Sequence, residues 1–369
     1  MSERVLIVRM SAMGDLIQTT PLPRAIKAAR PDAHVTWLAQ KPFASLLEHN
    51  PHLDETIVVP HRGLTAADLL DAWWRVKAGD FTVTIDPQGL LKSACATWMS
   101  GAPWRIGKDE SREAADFAYN HLIPERWDQT YVSQRYLELC EPLGADRDDY
   151  VPEIFLVEED FGPVNELYAT ERLSDGRPVV ALAPFTAEAR KEWPPEYWVR
   201  LADMLVDEMD AQIIIPGSAG ERERAKEVAA GMKRPPIIFA GKTDMRQAAA
   251  FLERMDLFIG GDSGLTHMAF AVGTPLVCIV GPTPLRNGPK SANARTVFAE
   301  GIECRPCRNH RCEHRNCLVH VTPEMVFEAA RLAYDGRAAG ERRPAYSRSA
   351  GRTTPHSVGE QTQHFAGRR

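Results

Sequence analysis

Short β-branched runs alternate with stretches of helical periodicity along most of this chain. Residues 5–8, 35–38, 56–59, 81–85 and 104–106 read as strands, and the segments between them read as helices up to Arg30, over 43–49, over 66–76 and over 90–99. A long helix over 131–143 closes that half. After a mixed stretch around 146–163 the rhythm restarts. Strands are expected at 179–183, 212–215, 237–239, 256–259 and 275–280, with helices after Pro194 and from Glu221. Repetition of this kind builds a parallel sheet covered by helices. After Pro194, the residues Trp198, Leu201, Ala202, Leu205 and Met209 fall on one helical stripe, the pattern of a helix lying on a sheet. Two such arrays in succession predict an α/β chain of two Rossmann-like domains, residues 1–160 and 161–335. From Gly336 onward Gly, Ser, Thr, Pro and Arg predominate without periodicity, and a disordered tail is expected over 336–369.

A length of 369 residues exceeds what one core usually supports, which agrees with two domains. The formal charge is −6, yet the stretch from Gly336 holds seven Arg against two Glu, so the body is more acidic than the total. An acidic body argues against nucleic acid as a partner. The basic tail is either solvated without a role or a contact for an anionic membrane surface. The apolar run 5–8 stops at Arg9, too short for a secretion signal, and 269–281 falls short of the roughly 20 apolar residues of a membrane span. The expectation is a cytoplasmic protein, peripheral to a membrane at most.

Three loops at expected strand ends carry chemistry. The first is Met10-Ser-Ala-Met-Gly-Asp15, where Gly14 permits a sharp turn and Asp15 stands at the edge where open α/β sheets place ligands. It is not GxGxxG, which weakens a nicotinamide-cofactor reading. Asp15 serves equally as the N-terminal acid of a helix. The second loop sets Thr186 and Lys191 between a strand end and a helix beginning at Pro194, a place that suits a diphosphate. The third, Gly260-Gly-Asp-Ser-Gly-Leu-Thr-His267, opens a helix whose free N–H groups suit an anion, with Asp262 or Ser263 as its cap. His267 suits either a ligand contact or simple packing.

Seven cysteines without a signal point to a reducing compartment. Cys304, Cys307, Cys312 and Cys317 are spaced C-x2-C-x4-C-x4-C, with His310 and His314 between them. Four thiolates would close a structural zinc or iron site; the same residues, reduced or partly disulfide-linked, would merely stiffen a loop. Cys95, Cys140 and Cys278 lie in helix or strand patterns and read as packing.

Taken together, these motifs resemble the ADP-heptose:lipopolysaccharide heptosyltransferases, glycosyltransferase family 9, over roughly residues 5–334. Ser11, Gly14, Asp15 and Thr19 match S-x-x-G-D-x-x-x-T; Thr186, Lys191, Trp193 and Pro194 match T-x4-K-x-W-P; Asp262, Ser263, Gly264 and His267 match D-[ST]-G-x-x-H. The resemblance implies the GT-B architecture, two Rossmann-like domains facing across a cleft, and metal-independent inverting transfer. It makes Asp15 the general base, gives the ADP diphosphate to Thr186 and Lys191, the ribose to Glu221, and the rest of the donor to Asp262, Ser263, Gly264 and His267. Ala187 stands where close members carry a second threonine, so one phosphate contact is missing. Cysteine sets like this one occur in part of the family.

Residues 85–94, Ser111-Arg-Glu113 and Tyr119-Asn120 are similar to the heptosyltransferase I subgroup, which adds the first heptose to Kdo on lipid A. That similarity assigns Lys92, Arg112 and Arg135 to the acceptor carboxylates, with Arg62 and Arg105 next. Arg and Lys are the natural partners of an anionic sugar, although any one of them also reads as surface charge. The implied partners are ADP-heptose and Kdo-lipid A at the cytoplasmic face of the inner membrane, with no cofactor needed for transfer. Alternatives are a related glycosyltransferase with another nucleotide sugar or acceptor, a nucleotide-binding module without turnover, and a metal-binding scaffold on the cysteine loop.

Overall fold

The β-branched runs form two six-stranded sheets in which every pairing is parallel. The computed structural model describes residues 3–60, 65–109, 112–124, 131–146, 151–173, 176–307, 309 and 312–338. Arg62, Ser111, His310 and the tail from residue 339 lie outside the described residues. The chain divides into two units, Met1–Phe155 and Leu156–Arg369.

The first sheet contains β1 (Arg4–Val8), β2 (His34–Gln40), β3 (Glu55–Val59), β4 (Val83–Ile85), β5 (Trp104–Lys108) and β6 (His121–Ile123), in the order β3-β2-β1-β4-β5-β6. The second contains β7 (Val179–Ala183), β8 (Gln212–Ile215), β9 (Ile237–Ile238), β10 (Leu257–Gly261), β11 (Leu276–Ile279) and β12 (Ala294–Val297), in the order β12-β11-β10-β7-β8-β9. In each sheet the order reverses once, between β1 and β4 and between β7 and β10. Loops leaving the carboxyl ends of strands diverge at such a switch point, which is where doubly wound sheets bind ligands. All three loops singled out in the sequence leave β1, β7 or β10.

Trp198, Leu201, Ala202 and Leu205 of the helix Pro195–Met209 are buried in one cluster with Val180, Leu182, Ile213 and Ile259 of the second sheet, and Met209 packs at its edge. Elsewhere proline shortens the expected helices. The first ends at Thr19, and a second, Pro21–Ala29, starts on a residue that has no N–H to continue the ladder. The expected helix over 131–143 is α-helical only over Val132–Leu137 and tightens to a 3-10 helix over Glu138–Leu143, which contains Pro142. Alternation alone did not reveal β6, β12 or the helices Gly162–Glu171, Met245–Glu253 and Pro323–Ala338. The last of these runs into the segment expected to be tail.

Candidate active site

Within the first unit, β1 ends at Val8 and the chain turns through Arg9–Ala12 into the helix Met13–Thr19, which carries Asp15 in its first turn. Arg9 Nη2 lies 3.0 Å from Asp15 Oδ2; the Arg9 side chain is 4% exposed and that of Asp15 49%. Arg9 also donates to Pro87 O at 2.9 Å and to Tyr136 Oη at 2.9 Å, and its guanidinium sits over the Tyr136 ring. Burial alone would favour neutral Arg9, but Asp15, Tyr136 and Asp86 hold its pKa above the ordinary arginine value. Asp15 therefore presents a carboxylate that is accessible on one side and clamped by a buried cation on the other.

The loop after β4 supports this arrangement. Gln88 Oε1 accepts from Met10 N at 2.8 Å, tying the two switch-point loops together. Asp86, 1% exposed, accepts from the N–H groups of Gln88 and Gly89 at 2.8 and 3.1 Å and from Tyr119 Oη at 2.7 Å, yet burial still raises its carboxyl above the usual range. Lys92 is exposed and donates to Ser11 Oγ at 2.7 Å. Arg112 is exposed, with its backbone N–H on Gly89 O at 2.9 Å. Arg105 is committed to Ala118 O and Ala102 O at 2.7 and 2.8 Å, and Asn120 to Pro103 O and Arg105 N. Arg135 is 1% exposed, within the core rather than on the surface.

In the second unit Ala183 of β7 is in register with Gly260 of β10, so both loops leave the same sheet edge side by side. Lys191 Nζ lies 3.1 Å from Glu188 Oε1 and 3.7 Å from Asp262 Oδ2. Asp262 Oδ1 faces His267 Nε2 at 3.3 Å, and Asn287 donates to Oδ2 at 3.3 Å. Burial would raise the Asp262 carboxyl, but His267, Lys191 and Thr283 hold it well below the usual range. His267 is 5% exposed and turned toward Asp262, so it orients that carboxylate. Ser263 is the first flanking residue of the helix Gly264–Ala271, whose opening N–H groups have no acceptor within the helix. Gly261 lets the neighbouring loop approach: a Cβ there would stand 3.3 Å from Thr186 Cγ2 and 3.5 Å from Lys191 O.

Thr186 Oγ1 donates to Glu188 O at 2.7 Å, and its N–H reaches Glu192 Oε1 at 3.2 Å. Arg224 grips Glu192 at 3.2 and 2.6 Å while its guanidinium covers Phe185. Glu221 Oε2 accepts from Ser218 N and Oγ at 2.6 and 2.8 Å, capping the short turn after β8. Ala187 is exposed at the apex of the Thr186 loop. The sequence reading did not assign roles to Arg9, Glu188, Arg190, Glu192 or Arg224. Only Arg9 left a local signal, as a charge closing an apolar strand.

The four cysteines of the C-x2-C-x4-C-x4-C run range from exposed to buried. Among the described residues no group of three or more His, Cys, Asp and Glu side chains is placed to hold an ion. Cys317 is buried in the same cluster as Trp193 and Leu318, whereas Cys304 is exposed. Cys307 contributes its backbone, donating to Pro282 O at 2.8 Å and accepting from Arg190 Nη1 at 2.7 Å. The described part of this run hydrogen-bonds the chain just after β11 through Cys307 N.

The sequence profile of glycosyltransferase family 9 (heptosyltransferase) matches residues 70–318. Lipopolysaccharide heptosyltransferase 1 of Pseudomonas aeruginosa is 29% identical over 324 residues, covering 85% of this chain and 88% of that protein. A glycosyl transferase family 9 structure from Veillonella parvula has a TM-score of 0.78 at 23% identity, over 90% of this chain and 97% of the other, a likeness of fold. The Escherichia coli heptosyltransferase WaaC with ADP has a TM-score of 0.67 at 25% identity, over 91% of this chain and all of that one. With the profile spanning well over half its length, this chain belongs to glycosyltransferase family 9, the heptosyltransferases.

Proposed function

We propose that this glycosyltransferase moves L-glycero-D-manno-heptose from ADP-heptose onto Kdo of the lipopolysaccharide inner core, with inversion at the anomeric carbon. The observation that carries the reading is Lys191, set between Glu188 and Asp262 where the loops after β7 and β10 adjoin. A cation beside the opening turn of Gly264–Ala271 suits a departing diphosphate. Heptose and lipopolysaccharide are what the Pseudomonas relative's name supplies, and ADP accompanies the Escherichia coli structure.

In this mechanism an acceptor hydroxyl attacks the anomeric carbon as its bond to the ADP oxygen breaks. The hydroxyl proton passes to the Asp15 carboxylate, and the bonding pair leaves with ADP. Lys191, Thr186 and the N–H groups near Ser263 and Gly264 stabilise the negative charge that develops on the diphosphate. Glu221 holds the ribose, and Asp262, oriented by His267, fixes the donor against the sheet edge. Lys92 and Arg112, both exposed, receive the acceptor carboxylates. Protein cations supply the charge stabilisation, so transfer proceeds without a divalent metal. The acceptor places the enzyme at the cytoplasmic face of the inner membrane; no helix among the described residues is long and apolar enough to cross it.

Two acceptors test the acceptor assignment, Kdo-lipid A and the same lipid already carrying one heptose. Offered ADP-heptose, the enzyme should add one heptose mass to the first and leave the second unchanged. Addition to the second alone would reassign the acceptor while keeping the donor.

A further inference from the structure

Two carboxylates face Lys191, and they are held very differently. Asp262 is 7% exposed and fixed by His267 and Asn287, so it is a permanent neighbour. Glu188 is 36% exposed and belongs to the loop itself. Its Oε1 lies 3.1 Å from Lys191 Nζ, and its Oε2 accepts from Arg190 Nε at 2.8 Å. One carboxylate thus bridges two cations with its outer edge toward solvent. Arg190 is 12% exposed and anchored at its far end, where Nη1 donates to Cys307 O at 2.7 Å. Thr186 closes the loop by donating to Glu188 O.

We infer that Arg190 is a second phosphate-binding cation beside Lys191, and that Glu188 occupies the diphosphate position in the free enzyme and must withdraw for the nucleotide to bind. This rests on the reading of Thr186 and Lys191 as the diphosphate site. A bridging carboxylate has the charge and the paired acceptor oxygens of a phosphate group, and forked Arg contacts suit either anion. Partial burial would raise the Glu188 carboxyl, but Arg190 and Lys191 hold it below its ordinary value, as a well-seated anion requires. The bridge keeps the two cations together when no nucleotide is present. It also lowers the apparent affinity for nucleotide, because only the fraction of molecules with Glu188 withdrawn is competent.

Calorimetric binding of ADP to the full chain tests the inference, with adenosine as the probe that lacks phosphate. Glu188→Gln should tighten ADP about 3- to 10-fold. Arg190→Met should weaken it by about tenfold or more, and Arg190→Lys should restore most of the loss. Adenosine affinity should stay level across all three variants, and thermal melts identify any variant that fails to fold. If Lys191→Met weakens ADP while Arg190→Met and Glu188→Gln leave it unchanged, the inference is overturned and the donor site stands. If Lys191→Met also leaves ADP binding unchanged, the diphosphate reading falls and takes the inference with it.

Discussion

Arg9 Nη2 and Asp15 Oδ2 stand 3.0 Å apart, the arginine buried and the aspartate half exposed. The strand end fixes the cation through Pro87 O and Tyr136 Oη, and the cation fixes the carboxylate. If Asp15 acts as the proposed base, Arg9→Met should lower kcat by roughly 10- to 100-fold by misorienting it. Asp15→Ala should cost more, about 10²- to 10⁴-fold, because it removes the proton acceptor. Arg9→Met also leaves buried acceptors without a donor, a loss of about 1–3 kcal/mol in stability. Asp15→Ala leaves the buried Arg9 guanidinium without its carboxylate partner, so it too should cost stability. Steady-state kinetics and denaturant melts on both variants separate the two contributions.

Gly261→Ala probes the approach between the ends of β7 and β10. The added methyl meets Thr186 Cγ2 at 3.3 Å and Lys191 O at 3.5 Å, so the loop must shift by a few tenths of an ångström. ADP affinity should fall several-fold, about 1 kcal/mol by the usual conversion, while the melting midpoint moves little. A large fall in melting midpoint with ADP binding unchanged would mean that the loop does not contact the nucleotide.

The buried aspartates respond to acid with opposite signs. The Asp262 carboxyl is depressed in the fold, so it adds stability above the unfolded value near 4, and this is lost as pH falls toward the folded value. Asp86 is raised by burial, so it costs stability once pH climbs above its unfolded value. Wild-type stability alone therefore mixes the two. Urea melts of Asp262→Asn and wild type should differ most above about pH 5, with the gap narrowing only as pH falls well below 4, while Asp86→Asn should leave that acid-side loss in place.

The cysteines offer a test of packing against metal binding. Cys317 is 5% exposed inside the core cluster, and Cys304 lies on the surface. Cys317→Ser buries a hydroxyl and should cost about 1–3 kcal/mol, whereas Cys304→Ser should stay within about 0.5 kcal/mol. A closed four-thiolate site would make the two losses similar. Thermal melts in a reducing buffer decide between them.

Positions near one strand end in sequence were legible from the chain alone. Asp15, Lys191 and Asp262 each lie a few residues past a β-branched run, and the switch-point topology explains why those strand ends matter. Partners distant in sequence were not. Pro87 and Tyr136 are 78 and 127 positions from Arg9, so the arginine looked like a mere interruption of a strand. The Glu192–Arg224 pair spans 32 positions and was invisible for the same reason. Arg135 illustrates the converse. Its charge suggested an acceptor contact or a surface position, but its helix packs with Ser133, Tyr136 and Leu137 also inside. Cysteine spacing left a metal knuckle and a thiol-packed loop both open, and Cys317 lies within the apolar cluster.

The proposed heptosyl transfer with Asp15 as base needs no metal. Mass spectrometry of Kdo-lipid A incubated with ADP-heptose and EDTA tests it directly, with wild type and Asp15→Ala compared side by side. A gain of one heptose mass that survives the chelator and disappears in the variant is expected. Transfer that stops with EDTA, or that continues unchanged without Asp15, would contradict the proposal.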